Sequence, residues 1–393
     1  MRFLIVPDSF KGSLTSKEVI EIIAKELKEA FSDCVIDAYP LADGGEGSLE
    51  IIVDALGGKY IKEIVEGPLL EETKEEPLVN EAEENEWLFN KVEAAYGILE
   101  DGTAVIEMAK ASGLTLIPRN QRNAGNTSTF GTGQLINKAI EAGAKDFIIG
   151  LGGSATNDAG IGMMSALGAK FYDKDGKIVT PIGKNLNSIQ DFDLSHFNEK
   201  IRGCNFKVMC DITNPLLGEK GATYTFGPQK GATKEELKIL EEGMCHFKNL
   251  AYKKLQIDKS NVAGAGAAGG MGYAFCEFFD GKLESGIDTI IKLYDLNKKV
   301  KEADIVISGE GHADSQSADG KVLSGIGRLC KGNNKKLIAI VGGMSKGAEM
   351  LYNIGINKIY SCVEENVNIE EAMKNAKANL ALTTKKVINE LLK

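Results

Sequence analysis

"RFLIVPDSFKGSLTSKEVIEIIAKELKEAF", residues 2–31, is the stretch that decides the fold. Its first part, residues 2–7, is a short continuous apolar run, which is typical of a buried parallel strand. A polar segment follows, in which Ser13 or Thr15 can cap a helix over residues 16–31. The apolar residues of that helix recur at helical spacing and form one face. A strand, a polar loop and an amphipathic helix in this order are the repeating unit of an α/β fold.

The same alternation continues at both ends of the chain. Short apolar runs predict strands over residues 34–40, 303–309, 335–343 and 357–363. Apolar residues at helical spacing predict helices over residues 323–331 and 346–355 and one long helix over 369–392. Alternating strands and helices of this kind imply a parallel sheet with helices on both faces.

The middle of the chain has a different texture. A glutamate-rich segment over 71–91 reads as a solvated insertion, because its acids follow no ligand spacing. Hairpins are predicted over 94–109, with Asp101-Gly102 at the turn, and over 169–181. A helix over 131–143 and strands over 145–151 and 206–212 complete the reading. We therefore predict a Rossmann-like α/β domain from residues 1–68 and 296–393, and an inserted mixed α/β domain from residues 69–295.

Composition restricts the function. The 393 residues carry a net charge of −10, whereas a nucleic-acid-binding protein needs a basic surface. The seven cysteines form no C-x-x-C pair, which argues against a zinc site or a disulfide framework. The start, "MRFLIVPDSF", is too short an apolar run for a signal peptide. We expect a cytoplasmic protein with no nucleic-acid or membrane partner.

Five polar clusters follow predicted strands, and most of them contain glycine. They are "PDSFKGS" (7–13), "LADGGEGS" (41–48), "GLGGSATNDAG" (150–160), "CDITNP" (210–215) and "GEGHADSQSADGK" (309–321). Ligands of open α/β sheets bind at the carboxyl ends of strands. Five such clusters predict an active site in the cleft between the two domains.

The cluster over 150–160 is the best candidate for a phosphate site. Glycines and hydroxyls that follow a strand and precede a helix starting near Asp158 form a nest of N–H groups, which receives anions. Close packing of a helix against a strand is the alternative explanation for these glycines and for those of "AGAGAAGGMG" (263–272). The chain has neither the P-loop pattern nor a dinucleotide-binding G-x-G-x-x-G after its first strand.

The charged residues at the strand ends suit phosphoryl transfer. That reaction needs carboxylates for Mg²⁺, a group that takes or orients the hydroxyl proton, and cations for developing charge. The available carboxylates are Asp8, Asp43, Glu46, Asp158, Asp211, Glu310 and Asp314, and the available lysines are Lys11, Lys230 and Lys321. The residues alone thus indicate a two-domain α/β enzyme that handles a phosphorylated ligand and a small polar partner.

Six segments, taken in order, resemble the motifs of the type-1 glycerate kinase family. They are "PDSFKGSLTS", "LADGGEGS", "GLGGSATNDAG", "DITNPLLGEKGATYTFGPQKGA", "GAGAAGGMG" and "GEGHADSQ". The resemblance runs from residue 1 to near the C-terminus. It implies phosphorylation of D-glycerate with ATP and Mg²⁺, giving 2-phosphoglycerate, at an active site in the cleft between two domains.

The resemblance also implies site residues at the matching positions. The catalytic residues are Lys11, Asp43 and Asp211. The substrate-binding residues are Asp8, Ser9, Glu46, His312 and Lys321. The phosphate- and nucleotide-binding residues are Gly152, Gly153, Ser154, Thr156, Asn157, Asp158 and Lys230. The metal ligands are Glu310 and Asp314.

Several alternatives stay open at this point. We take Asp43 as the catalytic base, with Asp211 as the alternative. His312 stands where the family usually has a long cation, which puts the identity of the substrate in question. Transfer to the 3-hydroxyl of glycerate, or to a related small hydroxy acid, is the second candidate function. A protein that binds a hydroxy acid without catalysis is the third.

Overall fold

The chain forms two compact units. The computed structural model describes residues 1–42, 44–45, 47–71, 89–314, 317, 321–363 and 367–393. The first unit comprises Met1–Asp43 and Ser285–Lys393, and the second comprises Gly44–Glu284. Three sequence predictions fall wholly or mostly outside the described residues: the roles of Asp43 and Glu46 and the solvated insertion.

The strands are short except for one hairpin of the second unit. They are β1 (Arg2–Ile5), β2 (Val35–Ala38), β3 (Gly58–Leu70), β4 (Phe89–Leu99), β5 (Ala104–Glu107), β6 (Asp146–Gly150), β7 (Lys170–Tyr172), β8 (Asp191–Asp193), β9 (Asn205–Met209), β10 (Lys282–Glu284), β11 (Ile305–Ser308), β12 (His312–Ala313), β13 (Lys336–Val341), β14 (Gly343–Met344) and β15 (Lys358–Ser361).

The α-helices range from single turns to six turns. They are α1 (Ser16–Ala30), α2 (Ser48–Leu56), α3 (Ala109–Ser112), α4 (Phe130–Glu141), α5 (Ile161–Ala166), α6 (Ser195–Lys200), α7 (Ala222–Phe226), α8 (Lys234–Leu255), α9 (Met271–Phe278), α10 (Gly286–Leu293), α11 (Leu296–Glu302), α12 (Val322–Gly332), α13 (Met350–Ile354), α14 (Ile369–Lys374) and α15 (Ala376–Leu391). Among the described residues, no helix is both long enough and apolar enough to span a bilayer.

The first unit is built on a five-stranded parallel sheet. Its strand order is β15-β13-β11-β1-β2. On one face, α1 and α15 pack together over apolar residues such as Phe3 and Ile307. Helices α11 and α12 contact the same sheet, and buried α12 residues such as Ile326 lie outside that cluster. Since strand side chains alternate between faces, the sheet is covered on both sides, as the sequence predicts.

Thr15, one of the two residues predicted to cap α1, is the cap in the structure. The Thr15 hydroxyl accepts a hydrogen bond from the Glu18 N–H at 3.2 Å, and the Thr15 N–H donates to the Glu18 carboxylate at 3.0 Å. This reciprocal pair gives hydrogen-bond partners to two backbone N–H groups that would otherwise lack them at the start of the helix. The helix therefore begins at Ser16, where the polar loop after β1 ends.

The second unit is built on a six-stranded mixed sheet. Its order is β10-β9-β6-β5-β4-β3, parallel from β10 to β5 and antiparallel from β5 to β3. The predicted hairpin over 94–109 is present as β4–β5, and Gly102 at its turn has φ +86°. The unit has its own core, which includes Phe147, Met163 and Phe275. The protein is thus a mixed α/β protein with parallel strands in both units.

Two predicted elements differ in part from the structure. The helix predicted over 369–392 is divided at Asn375 into α14 and α15, because asparagine favours helix ends. The hairpin predicted over 169–181 is present in short form: the Val179 N–H donates to the Phe171 carbonyl oxygen at 2.9 Å, and Tyr172 forms an antiparallel bridge with Ile178. Strand β7 also pairs with β8, with Phe171 opposite Phe192, and the packing of these two rings supports that second pairing.

The bounds of the units also differ from the predicted domain bounds at 68 and 295. Strand β3 pairs with β4 along most of its length, so residues 44–68 belong to the second unit. Helix α10 contacts α12, and residues from 285 onward belong to the first unit. Sequence texture changes near residue 68, but the change of unit comes earlier, where the chain enters α2.

Candidate active site

The strand order of the first unit reverses between β1 and β11. The chain continues from β1 to β2 on one side, and from β11 to β13 and β15 on the other. In open α/β sheets, such a reversal leaves a crevice at the carboxyl ends of the strands. Two of the predicted motifs follow these two strands, and the Asp8 N–H donates to the Gly309 carbonyl oxygen at 2.8 Å. The structure therefore brings the first and last motifs together.

A cavity of about 490 Å³ lies at this edge of the sheet. Every predicted and described site residue of the first unit lines it: Asp8, Ser9, Lys11, Glu310, His312, Asp314 and Lys321. Asp8 and Glu310 are almost fully buried, with 7% and 5% of their surface exposed. Carboxylates and lysines thus face one small volume, which is the arrangement that an anionic substrate and its reaction partner require.

Glu310 is a buried carboxyl group of the cavity with a perturbed pKa. Burial raises its pKa to about 7, and the nearby carboxylates of Asp8 and Asp314 act in the same direction. A hydrogen bond from Ser317 and the charge of Lys321 oppose that rise. In the described part of the chain, the Glu310 Oε1 atom is buried and has no hydrogen-bond partner.

The predicted metal ligands, Glu310 and Asp314, both line the cavity and offer carboxylate oxygens. Mg²⁺ prefers oxygen ligands and is often held by one or two carboxylates together with the phosphates of the substrate. The buried, unpartnered Oε1 atom of Glu310 is an oxygen of that type. The described residues contain no group of three or more His, Cys, Asp or Glu side chains that could hold a metal ion.

His312 lies at the exposed rim of the cavity. It belongs to β12, which pairs with β14, and its Nε2 atom lies 3.1 Å from the Ser345 hydroxyl oxygen. The histidine is therefore held at the position where the resemblance leads us to expect a long cation.

In the second unit, the phosphate loop predicted over 150–160 is organised around the buried amine of Lys230. Its Nζ atom donates to the Ser154 hydroxyl at 2.8 Å and to the Thr156 carbonyl oxygen at 2.7 Å. Burial lowers the pKa of this amine to about 7, although the Asp158 carboxylate acts in the opposite direction. The lysine thus joins two predicted site residues that the sequence separates from it by more than seventy positions.

Two side-chain oxygens of this loop lack partners in the described parts of the chain. The Thr156 Oγ1 and Asn157 Oδ1 atoms are both buried, and neither has a hydrogen-bond partner there. The amide nitrogen of Asn157 donates to the Thr223 hydroxyl at 3.3 Å, which fixes the orientation of the amide. Buried polar atoms without partners are costly, which makes them candidates for a functional role.

Asp158, which was predicted to bind phosphate or nucleotide, is surrounded by hydrogen-bond donors of the protein. The residue is fully buried, and its carboxylate accepts hydrogen bonds from the Thr129 N–H and hydroxyl and from the N–H groups of Gly160 and Gly162. Four internal donors favour a role in positioning the loop over contact with a ligand. Helix α5 begins at Ile161 and is only six residues long.

The prediction that the N-terminus of α5 receives an anion is therefore wrong. The Gly160 and Gly162 N–H groups donate to the protein's own carboxylate, and the Met163 N–H donates to the Thr129 hydroxyl at 2.8 Å. The N-terminal dipole of this short helix is thus already satisfied by Asp158. Phosphate contact by the preceding loop, residues 152–157, stays a prediction.

The glycines of the loop make room for other parts of the same unit. A Cβ atom on Gly152 would lie 2.4 Å from the Gly45 Cα atom, and one on Gly150 would lie 2.8 Å from the Gly44 carbonyl oxygen. On the other side, a Cβ atom on Gly269 would lie 2.0 Å from the Thr156 carbonyl oxygen. Close backbone packing, the alternative explanation for the glycine-rich segments, therefore accounts for these three positions.

For two further predicted site residues, Gly153 and Asp211, the structure shows the backbone position and the burial. Gly153 has φ +77°, a left-handed conformation that favours glycine, at the turn that leads to Ser154. Asp211 is half-buried and follows β9, at the same edge of the sheet as the loop after β6. Its predicted alternative role as catalytic base stays a prediction.

Glu107 is a residue that the sequence reasoning missed. It ends β5, only 1% of its surface is exposed, and its Oε2 atom accepts hydrogen bonds from the Gly47 and Leu49 N–H groups at 3.1 and 3.3 Å. Burial raises its pKa to about 7. The carboxylate caps the N-terminus of α2, where the motif around Gly47 ends. An acid directly after the apolar run "AVI" was the available signal, since the other candidate acids also follow strands.

A cavity at a reversal of strand order, lined by buried acids and lysines, is typical of α/β enzymes that act on small polar molecules. A family model described as the glycerate kinase family matches residues 3–392. The chain is 40% identical to a glycerate kinase of Bacillus subtilis (strain 168) and 39% identical to a glycerate 2-kinase of Escherichia coli (strain K12). Each alignment covers 98% of this chain and 97% of the relative.

A solved structure agrees with these relatives. The crystal structure described as glycerate kinase 2 from Salmonella typhimurium LT2 superposes with a TM-score of 0.83 and is 38% identical in sequence. The match covers 100% of this chain and 98% of that chain. The chain belongs to the glycerate kinase family.

Proposed function

We propose that this protein is a glycerate kinase that transfers the terminal phosphoryl group of ATP to the 2-hydroxyl of D-glycerate. Membership of the glycerate kinase family across nearly the whole chain is the observation that carries the proposal. The 2-position is supported by the relative from Escherichia coli, which is named a glycerate 2-kinase. Transfer to the 3-hydroxyl is the second candidate.

In this proposal, the residues of the first unit hold and activate glycerate. The Asp8 carboxylate accepts hydrogen bonds from the hydroxyl groups of glycerate, and the Ser9 hydroxyl donates to them. Lys321 and His312 attract the carboxylate of glycerate. Lys11 stabilises negative charge on the phosphoryl group in transit. Since all five line one cavity, they are placed to act on one small molecule.

The second unit contributes to the phosphate side of the reaction in this proposal. Ser154, Thr156 and Lys230 bind phosphate oxygens, and the unpartnered Thr156 hydroxyl supports that role. The catalytic base is Asp43 in this proposal. It takes the proton from the attacking hydroxyl, with Asp211 as the alternative base.

That the two units share one active site is part of the proposal and rests on the sequence.

Mg²⁺ is proposed to bind at Glu310 and Asp314. When bound, it supplies positive charge that offsets the charge of the phosphates. The buried Oε1 atom of Glu310 supports this assignment, because it is an oxygen ligand that no described group uses.

The test is an assay of ADP release with D-glycerate and ATP in the presence of Mg²⁺. We expect ADP to form only when D-glycerate is added, and phosphorus NMR to identify 2-phosphoglycerate. A 3-phosphoglycerate product would overturn the assignment of the hydroxyl alone. No glycerate-dependent ADP formation would overturn the kinase function.

The role of Lys11 is tested by Lys11→Ala. We expect kcat/KM to fall by about tenfold or more, because a charge next to the transferred group is lost. Lys28→Ala, on the exposed face of α1, is the matched control and should leave kcat/KM unchanged. Full activity in Lys11→Ala would remove this lysine from the catalytic residues.

A further inference from the structure

The cavity of the first unit has two chemically different walls. The segments that follow β1 and β11 contribute the charged residues described above. The opposite set of lining residues comes from β14, from the segment after β15, and from α14 and α15. Among the described residues this wall is apolar apart from Asn379, and it includes Met344, Cys362, Val363, Met373 and Ala376.

The volume of the cavity exceeds what glycerate needs. Glycerate has about seven non-hydrogen atoms, which at a water's share of about 30 Å³ each occupy at most roughly 200 Å³. The cavity measures about 490 Å³, so it has room for the transferred phosphoryl group and for a further part of the nucleotide beside glycerate. Roughly 300 Å³ is enough for a flat ring system of about ten non-hydrogen atoms.

The composition of the apolar wall does not suit a three-carbon hydroxy acid. Every carbon of glycerate carries oxygen, so the acid gains little from methionine and valine side chains. Met344 and Met373 are nevertheless 38% and 40% exposed at this cavity. Methionine sulfur atoms make favourable contacts with aromatic rings, and methionine adapts its shape to a ring face.

Asn379 adds a polar group to this wall. It is the third residue after Ala376 in α15, and both line the cavity. An asparagine amide offers a donor and an acceptor side by side, which matches the edge of an adenine ring. A ring bound between the methionines could therefore be recognised at its edge.

We propose that the apolar wall of this cavity binds the adenine base of the nucleotide substrate. The proposal rests on the kinase function in so far as it takes ATP as the phosphoryl donor. It adds a base-binding site in the first unit, formed by Met344, Met373, Ala376 and Asn379. The phosphate contacts proposed for the second unit are a separate matter, because this site concerns the base alone.

The first test fills the proposed site with a side chain. Ala376→Trp places an indole where the base would lie, and we expect the KM for ATP to rise by about tenfold or more. The KM for D-glycerate should change by less than about twofold, since glycerate contacts the charged wall. Ala378→Trp is the matched control: the same substitution in the same helix, at an exposed position outside the cavity. A rise in the KM for glycerate alone, or no change in either KM, would overturn the proposal.

The second test uses the unmodified protein and needs no turnover. The methionine methyl groups are labelled with carbon-13, and adenosine is added without glycerate. We expect ring-current shifts of the Met344 and Met373 methyl signals, while Met350, which is exposed in α13 and does not line the cavity, stays unshifted. Unshifted Met344 and Met373 signals at saturating adenosine would contradict the base site.

The two tests separate this site from the function of the protein. If adenosine shifts the two methyl signals but no ADP forms with D-glycerate, the base site stands and the kinase function falls. If ADP forms but the signals do not move and Ala376→Trp behaves like its control, the kinase function stands and the base site is overturned.

Discussion

Glu107 is buried at the end of β5, with its carboxylate directed at the first N–H groups of α2. Opposing effects act on its pKa. Burial, the largest effect, and the charge of Glu50 favour the neutral form, whereas the charge of Lys110 and the two N–H groups favour the charged form. Burial dominates and raises the pKa to about 7. The residue therefore changes its protonation near neutral pH while it holds the loop at Gly47.

Glu107→Gln should change how stability depends on pH. The pKa of Glu107 is higher in the folded protein than its ordinary value of 4.5, so its contribution to stability is complete below that value. It is lost as the pH rises through about 7. Between about pH 5 and about pH 9 the wild type should lose up to about 3 kcal/mol relative to the variant. Urea unfolding at both pH values measures this difference.

The control for that experiment is Glu100→Gln. Glu100 is exposed in the turn between β4 and β5, and its replacement should leave the pH dependence of the wild type in place. Equal slopes for wild type and Glu107→Gln would show that the carboxyl group keeps an ordinary pKa.

Lys230→Met should weaken the use of ATP. The variant keeps the apolar stem but removes the donor that joins the Ser154 hydroxyl and the Thr156 carbonyl oxygen. We expect kcat/KM for ATP to fall by about tenfold or more, with Lys234→Met at the exposed start of α8 as the control. A variant as active as the control would exclude a role for the amine.

The pH dependence of the KM for ATP in the wild type is a second test of Lys230. Because burial lowers the pKa of Lys230 to about 7, its positive charge is lost as the pH rises through that value. The KM for ATP should therefore increase between about pH 6 and about pH 8. In Lys230→Met this increase should be absent, and a parallel increase in both proteins would assign it to another group.

At the scale of elements, the loop after β6 is held by backbone contact on two sides. Gly152 lies against Gly45 on one side, and Gly269 lies against Thr156 on the other. The Gly152 N–H also donates to the Gly44 carbonyl oxygen at 3.3 Å, so the contact with the first of these segments is specific. The backbone of the loop is therefore fixed by packing on two sides, while Gly153 at its turn is exposed.

Gly152→Ala should destabilise the protein. The added Cβ atom would lie 2.4 Å from the Gly45 Cα atom, and backbone cannot move aside as a flexible side chain can. We expect the free energy of unfolding to fall by about 1–3 kcal/mol, measured by urea denaturation. Gly332→Ala, at the end of α12, meets nothing within 4 Å and should be neutral or slightly stabilising. Equal stability of the two variants would contradict tight packing at Gly152.

The elements were predictable where the pattern is local. Apolar runs predicted the strands of the parallel sheet, and Thr15, one of the two cap residues predicted, caps α1 in the structure. The meeting of Asp8 with Gly309 followed from the rule that parallel strand ends share one edge. These inferences need only neighbours in sequence and the general geometry of sheets.

The rest could not be predicted because the partners are distant in sequence. The donors that occupy Asp158 include Thr129, 29 positions earlier, and no local pattern links the two. The carboxylate of Glu107 caps a helix that begins 59 positions before it, at Ser48. Part of the apolar wall of the cavity comes from α14 and α15, which the sequence predicts as one long helix.

At the scale of the whole molecule, each unit has its own hydrophobic core. The cluster around Phe147 and Phe275 is drawn from the second unit alone, and the cluster around Phe3 and Ile307 is drawn from the first. The first unit is formed by both ends of the chain, whereas the second is one continuous segment, Gly44–Glu284. The continuous segment has the simpler requirement for folding.

We expect a protein made of residues 44–284 to fold alone. Its sheet and core are complete within that segment, and a cooperative thermal transition by circular dichroism is the expected result. Upfield-shifted methyl signals in its proton NMR spectrum would show fixed side-chain packing. A spectrum without such signals, and without a cooperative transition, would mean that the segment depends on the first unit.

The contacts of Gly45, Gly152 and Gly269 bear on how such proteins are recognised. Runs of glycine are usually taken as signs of a phosphate-binding loop, yet at these positions glycine is required because another segment of the same chain packs against the backbone. Three motifs far apart in the chain are therefore mutually dependent, and a bulkier residue in one would demand a compensating change in another. Paired substitutions across these motifs in related sequences would be the evolutionary trace of that dependence.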